Sequence, residues 1–259
     1  MIVKDIMKML EEWAPPSYQE SYDNSGLLVG NPQAEVKSVL ISLDCTEEVV
    51  EEAMAIGANL VIAHHPIIFS GLKRLTGASY IERTVMKAIK HDIAIYAIHT
   101  NLDNVAHGVN AKIGALLKLQ NLQILQAKRG LDQVGSGMIG ELETTTDTKS
   151  FLLEVKAIFG GSLRYTNILK DKVSKIAVCG GSGSFLLKDA IEQGADIFIT
   201  SDFKYHQFFD AEKRIVIADI GHYEAEKFTK ELICEFLREK FPTFALHLSK
   251  INTNPVNYL

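Results

Sequence analysis

The stretch VKSVLISLDCTEEVVEEAMAIGANLVIAHHP, residues 36–66, decides the fold class. It opens with the β-branched, apolar run Val36–Leu43, which is typical of a strand. Thr46 can cap a following helix, which carries two glutamates in its first turn and ends near Gly57. The apolar run Asn59–Ala63 comes next and is too short for a helix, so it predicts a second buried strand. This order of strand, helix and strand indicates two parallel strands joined by a helical crossover.

The same alternation continues on both sides of this segment. A helix over Val3–Trp13 precedes it and is stopped by Pro15-Pro16. The remaining predicted elements are a helix to about His91, strand Ile93–Ile98, helix Gly108–Leu117, strands Lys175–Cys179, Asp196–Thr200 and Arg214–Ala218, a helix from about His222 to Lys240, and a last strand Phe244–Leu248. Repeated alternation of this kind predicts an α/β protein with mainly parallel sheets covered by helices on both faces.

The second half of the chain echoes the first, which predicts two lobes. When Val36 is aligned without gaps on Val173, Gly57-Ala58 falls on Gly194-Ala195, although chance similarity also explains such a match. We predict an N-terminal α/β lobe over residues 1–126 and a C-terminal α/β lobe over residues 127–259. Residues 127–170 are interpreted as a connecting region with an antiparallel element, because glycines and threonines interrupt shorter apolar segments there. Equivalent strand ends from the two lobes would then face one cleft.

Composition narrows the class of protein and its surroundings. The 259 residues carry 27 Lys and Arg against 32 Asp and Glu, a net charge of −5, and no dense basic cluster, which argues against a nucleic-acid partner. No apolar run approaches the roughly 20 residues that span a bilayer, and the charged N-terminal helix does not resemble a signal peptide. The three cysteines include no Cys-x-x-Cys pair, which excludes a thiolate metal cage and favours a reducing compartment. We therefore expect a cytoplasmic location and no membrane partner.

Metal-binding residue types follow several predicted strands directly. In open α/β sheets, ligands bind at the carboxyl ends of the strands. Five residues at these ends have side chains suited to a metal centre: His64, His65, Asp103, His222 and Glu226. The alternative without a metal is that these are ordinary surface or core histidines and that His222 and Glu226 form a helical ion pair. This alternative is weakened because all five residues occur at the same predicted edge.

The residue types also indicate which metals would bind, and how many ions. His222 and Glu226 are four residues apart, so one face of a helix presents both. His64 and His65 are adjacent in a loop before a proline, where their rings can diverge towards different ions. Three imidazoles and two carboxylates suit Zn, Fe, Mn, Ni or Co better than Ca or Mg. They are too many for one tetrahedral site with an open position, which predicts two divalent ions bridged by carboxylates.

Other polar segments give less specific signals. His99 follows a strand and is either a partner that orients a ligand or a proton carrier. The turn Gly180–Ser184 can offer backbone N–H groups to an anion but lacks the third glycine of a dinucleotide fingerprint. In the segment Ser201–His206, the side chains of Asp202, Lys204 and His206 can bind substrate or move protons, or simply form a solvated turn.

A series of short motifs, in chain order, resembles a known family. The motifs are Tyr22-Asp23-Asn24-Ser25-Gly26-Leu27-Leu28-Val29-Gly30, Leu43-Asp44-Cys45-Thr46, Gly57-Ala58-Asn59-Leu60 with His64-His65-Pro66, His99-Thr100-Asn101-Leu102-Asp103, Cys179-Gly180-Gly181-Ser182-Gly183, Gly194-Ala195-Asp196, and Gly221-His222-Tyr223-Glu224-Ala225-Glu226. They resemble the Nif-three-like family, many of whose bacterial members carry the name GTP cyclohydrolase 1 type 2 homolog. The resemblance covers most of the chain, from about Tyr22 to Glu226.

This resemblance carries expectations about architecture and activity. It implies two α/β lobes, a dinuclear metal site on the five residues named above, and a toroidal homohexamer with its sites facing an inner cavity. The chain looks like the short form of the family, with residues 126–170 where longer relatives insert a domain. We predict a dinuclear metal-dependent hydrolase that opens the ring of a purine nucleotide, as a GTP cyclohydrolase does, with His99 or His206 as the proton carrier. The alternative is a non-catalytic scaffold that binds metal or a partner protein.

Overall fold

The computed structural model describes the backbone of residues 1–259 and all side chains apart from that of residue 132. The strands are β1 (Gly26–Val29), β2 (Val39–Ser42), β3 (Leu60–Ala63), β4 (Ala94–Ala97), β5 (Gln120–Lys128), β6 (Leu131–Asp147), β7 (Arg164–Tyr165), β8 (Lys172–Ser182), β9 (Ile197–Ser201), β10 (Val216–Asp219) and β11 (Leu246–Leu248). The α-helices are α1 (Val3–Trp13), α2 (Glu47–Ile56), α3 (Tyr80–Lys90), α4 (Thr100–Asp103), α5 (Val109–Leu116), α6 (Thr148–Phe159), α7 (Leu187–Glu192), α8 (His222–Glu226) and α9 (Thr229–Lys240). Short 3₁₀ helices cover Pro16–Tyr18, Ser184–Leu186 and Tyr205–Ala211.

The chain divides into two compact units whose borders differ from the predicted lobes. The first unit contains Met1–Leu102 and Thr229–Pro255, and the second contains Asp103–Phe228 and Val256–Leu259. The expected border between residues 126 and 127 falls inside β5. The reason is that β5 pairs with β6, and β6 pairs with β8, so residues 127–170 contribute to the second sheet instead of connecting two lobes. The helix expected over 222–240 is divided into α8 and α9 where the chain passes between units.

The first unit is built on a largely parallel sheet with the strand order β1-β4-β3-β2-β11. β2, β3, β4 and β11 run parallel, and β1 pairs antiparallel with β4. All residues of β2, β3 and β4 are buried, as apolar strands covered on both faces require. Helix α2 begins where the Thr46 side chain accepts a hydrogen bond from the Val49 N–H, and it ends at Gly57, whose φ is +73°. The predicted strand–helix–strand unit is confirmed to within a few residues.

The second unit has a mixed sheet with the strand order β5-β6-β8-β9-β10-β7. β8, β9 and β10 are parallel, whereas β5, β6 and β7 each join by antiparallel pairing. The α/β class with two sheets is therefore confirmed, and the mainly parallel pairing applies to the first sheet. The second sheet is less parallel than expected because the hairpin of β5 and β6 adds antiparallel strands to it. Most residues of β5 are exposed or half-buried, so this strand has no continuous apolar run by which it could be predicted.

Two expectations from composition can be compared with the structure. All three cysteines are buried free thiols. Within the described residues, none of the helices has the length and apolar character needed to span a membrane.

Candidate metal centre

Three histidines of the first unit gather at one edge of its sheet. His64 and His65 follow β3 directly, and His99 follows the neighbouring parallel strand β4. One ring nitrogen from each of the three lies within 4.8 Å of the others. The ring centroids are 5.0 to 5.4 Å apart. The carboxyl ends of adjacent parallel strands therefore bring His99 close to His64 and His65, which lie 35 and 34 residues earlier in the sequence.

Hydrogen bonds orient the rings of His64 and His65. The Nδ1 atom of His64 lies 2.8 Å from the carbonyl oxygen of Ile98, which can only accept, so Nδ1 carries the proton and a neutral ring has its lone pair on Nε2. The Nδ1 atom of His65 lies 2.7 Å from Oδ1 of Asp44. Partners of this kind fix the tautomer of metal-binding histidines and leave Nε2 for the ion.

Asp44 is a supporting residue to which the sequence analysis gave no role. Burial acts to raise the pKa of its carboxyl group, but hydrogen bonds from His65 and from the Thr253 hydroxyl hold that pKa below its usual value. Asp44 is therefore ionised and can hold the His65 ring in place. It stands two residues after β2, so the rule that pointed to the histidines also covers its position.

His99 has an equivalent carboxylate partner in Asp23, which the sequence analysis also left without a role. The Nδ1 atom of His99 lies 2.7 Å from Oδ1 of Asp23, and the backbone N–H of Thr100 donates to Oδ2 at 3.0 Å. Burial acts to raise the pKa of Asp23, but hydrogen bonds from His99, Thr100 and Asn24 hold it well below its usual range. An ionised carboxylate behind an imidazole is the arrangement that orients a histidine for proton transfer.

The second unit gathers the other three predicted ligands. A carboxylate oxygen of Asp103 and one of Glu226 lie within 4.8 Å of each other, although Glu226 is only 3% exposed. The Nε2 atom of His222 is 3.0 Å from Oε2 of Glu226, and its Nδ1 atom is 2.7 Å from Oδ2 of Asp202. Burial acts to lower the pKa of His222, but the Glu226 and Asp202 carboxylates raise it to about 11. A buried carboxylate with a half-buried carboxylate next to it attracts cations, so this group has the character of a metal site.

Two unusual backbone conformations support this second group. Gly181 has a φ of +60°, and a Cβ atom there would lie 2.4 Å from Oε1 of Glu226. Glycine is thus required for the close approach of the carboxylate to the backbone. Asp202 has a φ of +61°, a left-handed conformation that is uncommon for residues other than glycine, although aspartate and asparagine adopt it more readily than most, and that clusters at functional sites.

His206 is placed differently from the other predicted site residues. It is exposed on the 3₁₀ helix Tyr205–Ala211, where its ring contacts those of Tyr205 and Phe209 at centroid distances of 5.2 and 6.3 Å. Among the described residues, the groups with metal-binding geometry do not include it. Its role in proton transfer stays a prediction.

Each unit therefore holds part of the predicted ligand set. The first unit contains the predicted ligands His64 and His65, with His99 beside them, and the second contains Asp103, His222 and Glu226. Imidazole nitrogens oriented by hydrogen bonds, together with the carboxylates of Asp103 and Glu226, suit divalent transition metals or zinc, so the residues present fit such ions.

Comparisons with known proteins agree on one family. The family model described as Duf34/NIF3 (NGG1p interacting factor 3) matches residues 1–255. A Lactococcus lactis protein named GTP cyclohydrolase 1 type 2 homolog is 36% identical over 260 residues, which cover 98% of both chains. A solved structure of a Staphylococcus aureus protein aligns with a TM-score of 0.91 and 30% identity, covering 100% of this chain and 99% of that one. A Bacillus cereus protein related to NIF3 aligns with a TM-score of 0.90 and 26% identity, with the same coverage. The chain therefore belongs to the DUF34/NIF3 family.

Proposed function

We propose that this protein is a metal-dependent hydrolase with a dinuclear centre. The proposed ligands are His64, His65, Asp103, His222 and Glu226, which together would hold two divalent ions of Zn, Fe, Mn, Ni or Co. The observation that carries the proposal is the buried Glu226 carboxylate, which has a second carboxylate within 4.8 Å and an imidazole at 3.0 Å. A stability role alone would not favour such a group, because the like charge of Asp103 close to the buried Glu226 carboxylate is repulsive.

Residues around the proposed ions would orient the ligands and transfer protons. When bound, two divalent ions supply Lewis acidity and a hydroxide nucleophile near neutral pH. Asp44 and the Ile98 carbonyl hold the rings of His65 and His64 in their ligating orientation. Asp23 holds Nδ1 of His99, so Nε2 of His99 is the atom that would accept or donate a proton during the reaction.

For the reaction, we propose the hydrolytic opening of a purine nucleotide. Curated relatives carry the name GTP cyclohydrolase 1 type 2 homolog, which supports GTP as the first substrate to test. A first water would add at C8 of the guanine ring, and the C8–N9 bond would break to leave a formamide on N7. A second water would hydrolyse this formamide, so that formate leaves and N7 becomes an amine. The turn Gly180–Gly183 or Lys204 would hold the phosphates, and His206 is a second candidate for proton transfer.

The proposal extends to assembly and location. The homohexamer and the cytoplasmic location are expectations from the family resemblance and from composition. A mass measurement by light scattering at micromolar concentration tests the first, and a monomer mass would contradict it.

Metal removal tests the proposed reaction. We expect metal-loaded protein to release formate from GTP. This release should stop after treatment with a chelator and resume when the metal is restored, because the nucleophile depends on the ions. Formate is measured directly, with the metal content counted in parallel. Metal-loaded protein that releases no formate contradicts the GTP assignment. A scaffold would instead lose only binding or assembly when the metal is removed.

A further inference from the structure

Two large aromatic side chains are exposed beside the histidine cluster of the first unit. Tyr22 is 62% exposed and Phe69 is 48% exposed, and their ring centroids are 6.2 Å apart. The Phe69 ring also contacts the His99 ring at 6.3 Å with an interplanar angle of 74°. Exposed aromatic surface next to a group of convergent polar side chains is the composition of a ligand site.

Hydrogen bonds fix the two loops that carry these rings. The Asn24 side-chain N–H donates to the carbonyl oxygen of Ile68 at 2.6 Å, so the loop that carries Tyr22 is joined directly to the residue before Phe69. Asp23, next to Tyr22, holds both His99 and the backbone N–H of Thr100. The two loops that carry the aromatic pair are therefore anchored next to His99, whose ring contacts Phe69.

We propose that Tyr22 and Phe69 form a stacking wall that binds a planar heteroaromatic ring, the class to which nucleobases belong. This inference rests on the proposed function, because the two rings lie beside the histidines of the proposed site. It specifies the class of substrate that this site would bind. A nucleobase has an apolar face and a polar edge. The wall offers aromatic faces, and His99 beside it offers an imidazole, so a ring stacked on Phe69 directs its polar edge towards His99.

The surroundings favour a ring over other small ligands. A phosphate or carboxylate alone would gain little from two exposed aromatic faces, and an aliphatic ligand would not use the imidazole at their edge. Stacking on an aromatic side chain contributes measurably to the binding free energy of a base, even where no hydrogen bond recognises its edge. The wall would therefore contribute to affinity for the ring itself, whatever holds the phosphates.

The test measures guanosine binding by isothermal titration to the metal-loaded, full-length protein. We expect Phe69→Ala to weaken guanosine binding by about 10- to 100-fold, and Phe69→Leu to weaken it nearly as much, because leucine keeps the apolar volume but has no ring face. Phe69→Trp should retain binding. Tyr80→Ala is the matched control, since Tyr80 is 58% exposed on α3 of the same unit, and it should bind like the unchanged protein. Metal content should be equal in all variants.

The stacking proposal and the hydrolase proposal can each be wrong, and the measurements distinguish the two cases. If the unchanged protein binds guanosine and Phe69→Ala binds it equally well, the wall is wrong, and formate release from GTP still tests the hydrolase. If Phe69→Ala changes the oligomeric mass in light scattering, the surface is a subunit contact and the proposal is overturned. If the metal-loaded protein binds no guanosine, the nucleobase assignment is wrong, and the metal content still tests the dinuclear centre.

Discussion

Replacing Glu226 by Gln is expected to bring turnover below detection and to lower the metal content. Glutamine has nearly the same size but removes the charge of a side chain that is only 3% exposed. The lost carboxylate would leave Asp103 and His222 as the ligands in the second unit, and a bridging carboxylate is what holds two cations close together. Loss of a catalytic ion abolishes kcat instead of raising KM, because the nucleophile itself disappears. Formate release and elemental analysis measure the two effects.

Glu224→Gln is the matched control for this substitution. Glu224 lies on the same short helix, α8, and is 5% exposed, but its carboxylate lies close to Gly221 and Gly161. We expect this variant to keep both its metal and its turnover. A Glu226→Gln protein that remains fully active on any substrate, with its metal content unchanged, would contradict the dinuclear mechanism.

His99→Ala is expected to lower kcat by about 10²–10⁴ while the metal content stays the same. The reason is that Asp23 holds Nδ1 of His99 at 2.7 Å, so the ring is oriented for proton transfer and is outside the proposed ligand set. Stopped-flow or steady-state formate release gives kcat, and elemental analysis gives the metal content of the same sample.

Two other histidine variants complete this comparison. His206→Ala should lower kcat less than His99→Ala, since the ring of His206 contacts the exposed rings of Tyr205 and Phe209. His91→Ala is the control, because His91 is exposed at the end of α3. If His99→Ala loses metal, His99 is a ligand and not a proton carrier. If its kcat is unchanged, proton transfer belongs to another residue.

The parts of this fold that local signals specify could be predicted from the sequence. Thr46 and Gly57 mark the ends of α2 through their own chemistry, and all four residues of β3, directly before His64, are apolar, which predicts a buried strand. The position of His64, His65 and His99 at one edge follows from the rule that ligands bind at the carboxyl ends of parallel strands.

Other features depend on contacts between distant residues and could not be predicted. β11 pairs with β2 although Leu246 and Val39 are far apart in the chain, so the return of 229–255 to the first unit has no local signal. The roles of Asp23 and Asp44 depend on side-chain hydrogen bonds to histidines 76 and 21 residues away. The contact of Phe69 with His99 likewise arises from the folded loop and from no motif spacing.

Elemental analysis of protein purified without chelators tests the central claim most directly. The five proposed ligands are His64 and His65 in the first unit and Asp103, His222 and Glu226 in the second. This set predicts about two divalent ions per chain. Asp103→Ala should reduce this value to about one or less, since it removes one of the two proposed carboxylate ligands. A firm value of one ion per chain, unchanged in Asp103→Ala, would contradict the dinuclear centre.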